Sequence, residues 1–277
     1  MTLASITIVD WFLSLKVIWQ ALIAGVFTWF MTALGASFVL FFKTVTPKAF
    51  TVMIGFAAGI MLAAVFFSLL LPSIDIAESG GLIPWVPAIV GFALGGIFLR
   101  FVDLLIPHLH PGASNDEIEG PKTQLKRSWL MIIAVTIHNF PEGLAVGVAF
   151  GALTGGVDSV SIMGAVSLAL GIGIQNIPEG FAVSAPLRSE GFSGKKSFFF
   201  GQLSGVVEII GAVVGAVIAS SRTNILPYAL SFAAGAMIYV IVEELIPESQ
   251  RSKYSDLATI ATMVGFAVMM LLDVALS

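Results

Sequence analysis

The sequence predicts an all-α integral membrane protein, a bundle of eight transmembrane helices with inverted repeats. Three observations carry that prediction. Hydrophobic residues make up 57% of the 277-residue chain and charged residues 11%, well below the roughly one quarter charged that a water-exposed domain needs. The apolar residues fall in eight continuous runs near the ~20 residues that cross a ~30 Å hydrocarbon core, not in the alternating ten-residue stretches of a lipid-facing barrel. A polar motif on the fourth run returns on the fifth.

Residues 1–15 contain Asp10 and no cation ahead of Lys16, unlike a cleaved signal sequence. They read as a short interfacial or half-inserted segment. The spans follow at 18–42, closed by Lys43; 50–71, closed by Pro72; and 83–106, closed by Pro107. The next, 129–153, starts after Lys126 and Arg127 and ends before Gly155 and Gly156. The fifth, 160–186, ends at Pro186 and Arg188, and the sixth, 198–219, lies between Lys196 and Arg222. The seventh, 225–246, stops at Pro247, and the eighth, 257–276, starts after Lys253 and Asp256. Residues 1–277 thus read as a single transmembrane domain whose longest loop is 107–127.

Cytoplasmic loops hold an excess of Lys and Arg. The odd loops carry Lys43 and Lys48, then Arg100, Lys122, Lys126 and Arg127, then Arg188, Lys195 and Lys196, then Arg251 and Lys253. Of the 13 basic residues, the rest of the chain holds only Lys16 and Arg222. The odd loops, 107–127 among them, are therefore expected in the cytoplasm and both termini outside, in a plasma membrane or bacterial inner membrane. No basic residue lies in the middle of a span, so an anionic substrate would find no countercharge there. The net charge of −4 comes with no Lys/Arg-rich arm, which argues against nucleic acid as a partner. With no Cys, disulfides and thiolate metal sites are excluded.

His138-Asn139-Phe140-Pro141-Glu142-Gly143 on span 4 returns as Gln175-Asn176-Ile177-Pro178-Glu179-Gly180 on span 5. Phe56-Ala57-Ala58-Gly59-Ile60-Met61 on span 2 is echoed by Phe232-Ala233-Ala234-Gly235-Ala236-Met237 on span 7, followed by Pro72 and Pro247 respectively. The loop charges run the members of each pair in opposite directions, so spans 1–3 are expected to repeat inverted as 6–8, and span 4 as span 5. Secondary transporters place midplane binding sites on proline-interrupted helices of such repeats.

A carboxylate at mid-bilayer costs about 2.5–3.5 kcal/mol on insertion scales. Glu142, Glu179 and Glu208 all lie inside spans, with no basic residue to pair them. Their partners must be protons, water or a bound cation. Helical spacing puts His138, Asn139 and Glu142 on one face, and Gln175, Asn176 and Glu179 on the matching face of span 5. Pro141 and Pro178 free the carbonyls of Ile137 and Ile174 and are expected to bend their helices. Oxygen donors with one imidazole suit divalent zinc, iron, manganese or cobalt. Glu208 reads either as part of this site or as a hydrogen-bonding acid, and Met61 either as core filling or as a thioether ligand. At the cytoplasmic ends, Asp103, His108, His110, Glu243, Glu244 and Glu248 form either a solvated rim or an exit path, with Asp116, Glu117 and Glu119 in the long loop. Asp75 and Glu78, at the outer end of span 2, are placed to draw cations inward.

The paired motifs on spans 4 and 5, with Glu208 and the His-bearing third loop, resemble the ZIP (Zrt-/Irt-like protein) family of divalent metal transporters, in particular its GufA-like bacterial branch. The resemblance covers essentially all eight spans. It implies transport of zinc, or of iron, manganese, cobalt or cadmium, toward the cytoplasm by alternating access, with the metal as cargo and no catalytic cofactor. It implies a binuclear site, with His138, Glu142, Gln175, Glu179 and Met61 around one ion and Asn139, Glu142, Asn176, Glu179 and Glu208 around the other. Release through Glu244 and the loop residues, and homodimers in the bilayer, are also implied. Gln175 departs from the His of many members, leaving a harder, oxygen-rich site. An intramembrane metalloprotease would need a His-Glu-x-x-His helix, which is absent, and a Ser204 protease has no His after His138. A sodium- or proton-coupled carrier of a small organic solute is the rival reading, because carboxylates and broken helices suit it too.

Overall fold

The computed structural model describes residues 8–42, 45–109, 120–155, 161–221 and 223–276. Among them there is no β-strand, and eight helices are long and apolar enough to cross a bilayer. After a short helix, Ile8–Ser14, these are α1 (Val17–Leu40), α2 (Pro47–Ser79), α3 (Trp85–Leu105), α4 (Arg127–Ala152), α5 (Ile162–Ser189), α6 (Gly194–Ser221), α7 (Leu226–Gln250) and α8 (Ser255–Leu276). The architecture is the all-α membrane class expected, because only a helix satisfies every backbone group within a single apolar segment. His110, Asp116, Glu117 and Glu119 lie outside the described residues.

Helix starts are set by local chemistry. Thr46 caps α2, its Oγ1 accepting from the Ala49 amide at 3.2 Å, with Pro47 in the first turn. Ser161 caps α5 by accepting from Gly164 at 2.8 Å. Gly191, at φ 96°, turns the chain after α5.

Two helices end later than their prolines suggest. α2 runs past Pro72 to Ser79 and α7 past Pro247 to Gln250, each through a wider π-helical segment, Ala64–Leu70 and Ile241–Leu245. The residue before each proline reaches back five positions, Leu71 to the Phe66 carbonyl and Ile246 to that of Ile241. Proline supplies no amide and crowds the carbonyl four residues back, and the wider turn makes room for it. In α4 and α5 the helix continues unbroken through Pro141 and Pro178.

Burial ranks the helices. Of the most apolar window, 78% is buried in α4 and in α5, against 28% in α3 and α8, so the motif-bearing pair lies at the centre and α3 and α8 face lipid.

The helices approach through glycines, as membrane packing requires where no hydrophobic force drives association. On α2, Gly59 lies against the Thr262 carbonyl of α8, and Gly265 of α8 against that of Phe56. On α7, Gly235 lies against the Phe92 carbonyl of α3, and Gly95 of α3 against that of Phe232. The echoed segments of α2 and α7 thus make the same two contacts, one with α8 and the other with α3.

A Cβ at Gly95 would collide with the Phe232 backbone, whereas at neighbouring Gly96 it would meet only the Gly235 carbonyl at 3.8 Å. Gly95→Ala is therefore expected to destabilise the protein by about 1–3 kcal/mol through overpacking, while Gly96→Ala melts like wild type. Thermal unfolding in detergent, followed by circular dichroism, checks the pair.

Candidate metal centre

The two motifs face each other where α4 and α5 meet α1, α6 and α7. His138, Asn139, Glu142, Gln175, Asn176, Glu179 and Glu208 are all buried, none more than 9% exposed. Helical spacing of three and four residues aims each triplet inward, as expected.

One carboxylate is fully accommodated by the protein. Glu208 Oε2 accepts from Asn176 Nδ2 at 2.7 Å, and Oε1 accepts from Thr32 Oγ1 at 2.9 Å and from Asn139 Nδ2 at 3.4 Å. Asn176 Nδ2 also donates to the Thr28 carbonyl at 3.1 Å, and Gln175 Nε2 donates to Asn176 Oδ1 at 2.8 Å. These bonds engage both hydrogens of the Asn176 amide.

The acceptors left over are conspicuous. Glu142 Oε1 and Oε2, Asn139 Oδ1 and Gln175 Oε1 are buried without a hydrogen-bond donor. Gln175 comes close enough to act on the Glu142 carboxylate, but not with hydrogen-bonding geometry. Buried polar atoms are nearly always paired, and an unmatched acceptor costs its full desolvation. Four such oxygens together, with no cationic side chain among them, match a cation. No three His, Asp or Glu side chains among the described residues form an ion-holding group by themselves; the Asn139 and Gln175 carboxamides supply further oxygens beside the Glu142 carboxylate.

A small cavity of ≈ 30 Å³ adjoins the cluster, lined by Ile54 of α2, His138 and Asn139 of α4, Glu179 of α5 and Glu244 of α7. It is large enough for a water or an ion. His138 Nδ1 pairs with Glu244 across it. Glu244 sits in the π-helical segment of α7, whose wider turn lies directly beside the site. Glu179 lies within electrostatic range of Glu142, Glu208 and Glu244.

Other expected residues stand apart. Met61 is fully buried in the main apolar cluster and, like Glu142 and Gln175, is not in the lining of the small cavity. Asp103, at the end of α3, faces His108 with Oδ1 3.6 Å from Nε2, both buried, and His108 Nδ1 meets the Ile106 carbonyl at 2.8 Å. That pair also lies outside the cavity lining. Glu248 pairs with Arg251 at 3.5 Å, while Asp75 and Glu78 are exposed at the far end of α2.

Thr28 and Thr32 were not singled out by the sequence. Their signal was two hydroxyl residues one turn apart in the middle of an apolar span.

Comparison with known proteins gives a consistent result. The model of a family described as "ZIP Zinc transporter" matches residues 110–273. The chain is 40% identical to "Zinc transporter ZIP11" of Homo sapiens, across 94% of this chain and 98% of that protein. It is 38% identical to "Zinc transporter GufA" of Myxococcus xanthus, across 92% and 98%. It is also 38% identical to "Zinc transporter ZIPB" of Bordetella bronchiseptica, across 92% and 81%.

Proposed function

We propose, from the premise that this chain belongs to the ZIP zinc transporter family, that it carries divalent transition-metal cations, zinc foremost, across a membrane toward the cytoplasm. Similar proteins bear the name zinc transporter, and a multi-pass helical bundle is the architecture such transport requires. The single observation that carries the site assignment is the set of four donorless buried oxygens on Asn139, Glu142 and Gln175. They replace part of an ion's hydration shell. An organic-solute carrier has no comparable support, since the cluster holds no basic side chain to pair with a carboxylate and the adjoining cavity of ≈ 30 Å³ has no room for an organic amine.

Glu142, Glu179, His138 and Gln175 hold one ion in this reading. Glu208, Asn139 and Asn176 hold a second after exchanging their mutual hydrogen bonds for metal contacts. Glu142, Glu179 and Glu208 with Glu244 beside them are four carboxylates, which meet the four positive charges of two divalent ions. Alternating access is the transport mode of this reading, and the equivalent contacts of two glycine-packed sets, α2 with α8 and α3 with α7, support the inverted repeat it would use. The cavity between His138 and Glu244 lies on the side where α4 begins and α7 ends, the side that the basic loops assign to the cytoplasm. Both termini then lie outside, Asp103 and His108 stand on the exit side, and the lipid-facing helices leave room for a homodimer.

The test is uptake. Liposomes containing the purified protein are expected to accumulate radiolabelled zinc well above protein-free liposomes, and unlabelled cadmium or manganese should compete. Uptake equal to that of empty liposomes for every divalent ion would overturn the proposal.

A further inference from the structure

The deep cluster contains a correspondence that the sequence repeats do not display. On α6, the Glu208 carbonyl lies against Gly143 of the α4 motif, and Gly211, three residues on, lies against the Phe140 carbonyl. On α1, the Thr32 carbonyl lies against Gly180 of the α5 motif, and Gly35, three residues on, lies against the Ile177 carbonyl. Gly143 and Gly180 occupy the same motif position, as do Phe140 and Ile177. Thr32 therefore stands toward α5 as Glu208 stands toward α4. The two equivalent positions meet: Thr32 Oγ1 donates to Glu208 Oε1 at 2.9 Å, and both residues are at most 1% exposed.

We propose that Thr32 is a positioning residue for metal transport, holding the Glu208 carboxylate in register through this one hydrogen bond. One half of the cluster supplies an acid at this position and the other a hydroxyl that orients it. The contact is local and backed by steric constraint. Thr32 is fixed against Gly205 of α6, where even a methyl group would strike the Thr32 side chain at 2.9 Å. Thr28, one turn earlier, fixes the same wall by accepting from Asn176, which grips the other Glu208 oxygen. Oε1 accepts from Thr32 and Asn139 while Oε2 accepts from Asn176 alone and keeps a lone pair to offer an ion, which is how outer partners orient a ligand without replacing it.

The inference rests on Glu208 belonging to the deep site. Zinc uptake by reconstituted full-length protein tests it with Thr32→Val, which keeps shape and removes the donor, and Thr32→Ser, which keeps the donor. Outer partners of metal ligands typically contribute 10- to 100-fold in affinity, so Thr32→Val should raise KM by about tenfold or more, with a much smaller change in maximal rate, and Thr32→Ser should restore KM. A wild-type KM in Thr32→Val overturns the proposal. So does an equal defect in Thr32→Ser, which would point to the wedge rather than the hydroxyl. Glu208→Gln separates the two levels: if it transports with an unchanged KM, Glu208 is no part of the site; if its KM rises while that of Thr32→Val does not, only the role of Thr32 fails.

Discussion

Zinc uptake by Glu142→Ala and by Glu179→Ala is expected to fall to the level of protein-free liposomes, with both variants inserting and eluting as wild type does. Glu142 contributes two of the four donorless oxygens, and Glu179 lines the adjoining cavity. Removing either leaves too few negative oxygens to offset dehydration of a divalent ion. The protein itself loses little, because Glu142 is an unmatched buried carboxylate and Glu179 stands among three others of like charge, so each is a cost to the fold, not a support. Binding supplies a second readout. An ion that binds only the folded state at about a hundredfold its Kd stabilises by about 2.7 kcal/mol, so zinc should raise the melting temperature of the wild type and leave that of Glu142→Ala unmoved. Full uptake in both variants would mean that the unmatched oxygens have another purpose.

What the sequence disclosed depended on contrast. Polar residues inside apolar spans cost energy to bury, so His138, Asn139, Glu142 and their partners on α5 stood out, and the structure buries them together. Span positions were legible for the same reason, since eight apolar runs leave few alternatives. The extents of α2 and α7 were not. Pro72 and Pro247 read as helix ends, whereas a π-helical turn absorbs each proline, and no local residue pattern announces one. Thr28 and Thr32 were invisible for a different reason. A hydroxyl in a membrane helix can satisfy itself on its own backbone, as Thr28 Oγ1 does on the Gly25 carbonyl at 3.1 Å. Only the tertiary approach of α1 to α6 reveals that Thr32 has a carboxylate to hold.

Gly180→Ala should be as damaging to uptake as loss of a ligand, and by a route that involves no ligand. The added methyl would collide with the Thr32 carbonyl, a backbone atom with no freedom to rotate aside, so α1 must move away from α5. That movement stretches the Asn176–Thr28 bond of 3.1 Å and the Thr32–Glu208 bond of 2.9 Å together, and Glu208 loses its alignment with the motif residues. Overpacking of this kind costs about 1–3 kcal/mol, enough to lower the melting temperature while leaving the bundle folded. The effect differs from that of Glu142→Ala, which removes the metal and spares the fold. Gly194→Ala, at the start of α6, is the control, because its nearest neighbour would be a Leu40 methyl at 3.7 Å, an ordinary contact. Gly180→Ala should therefore lose both uptake and thermal stability, and Gly194→Ala neither. Wild-type uptake in Gly180→Ala would show that the site tolerates displacement of α1, and the link between glycine packing and metal coordination would then be wrong.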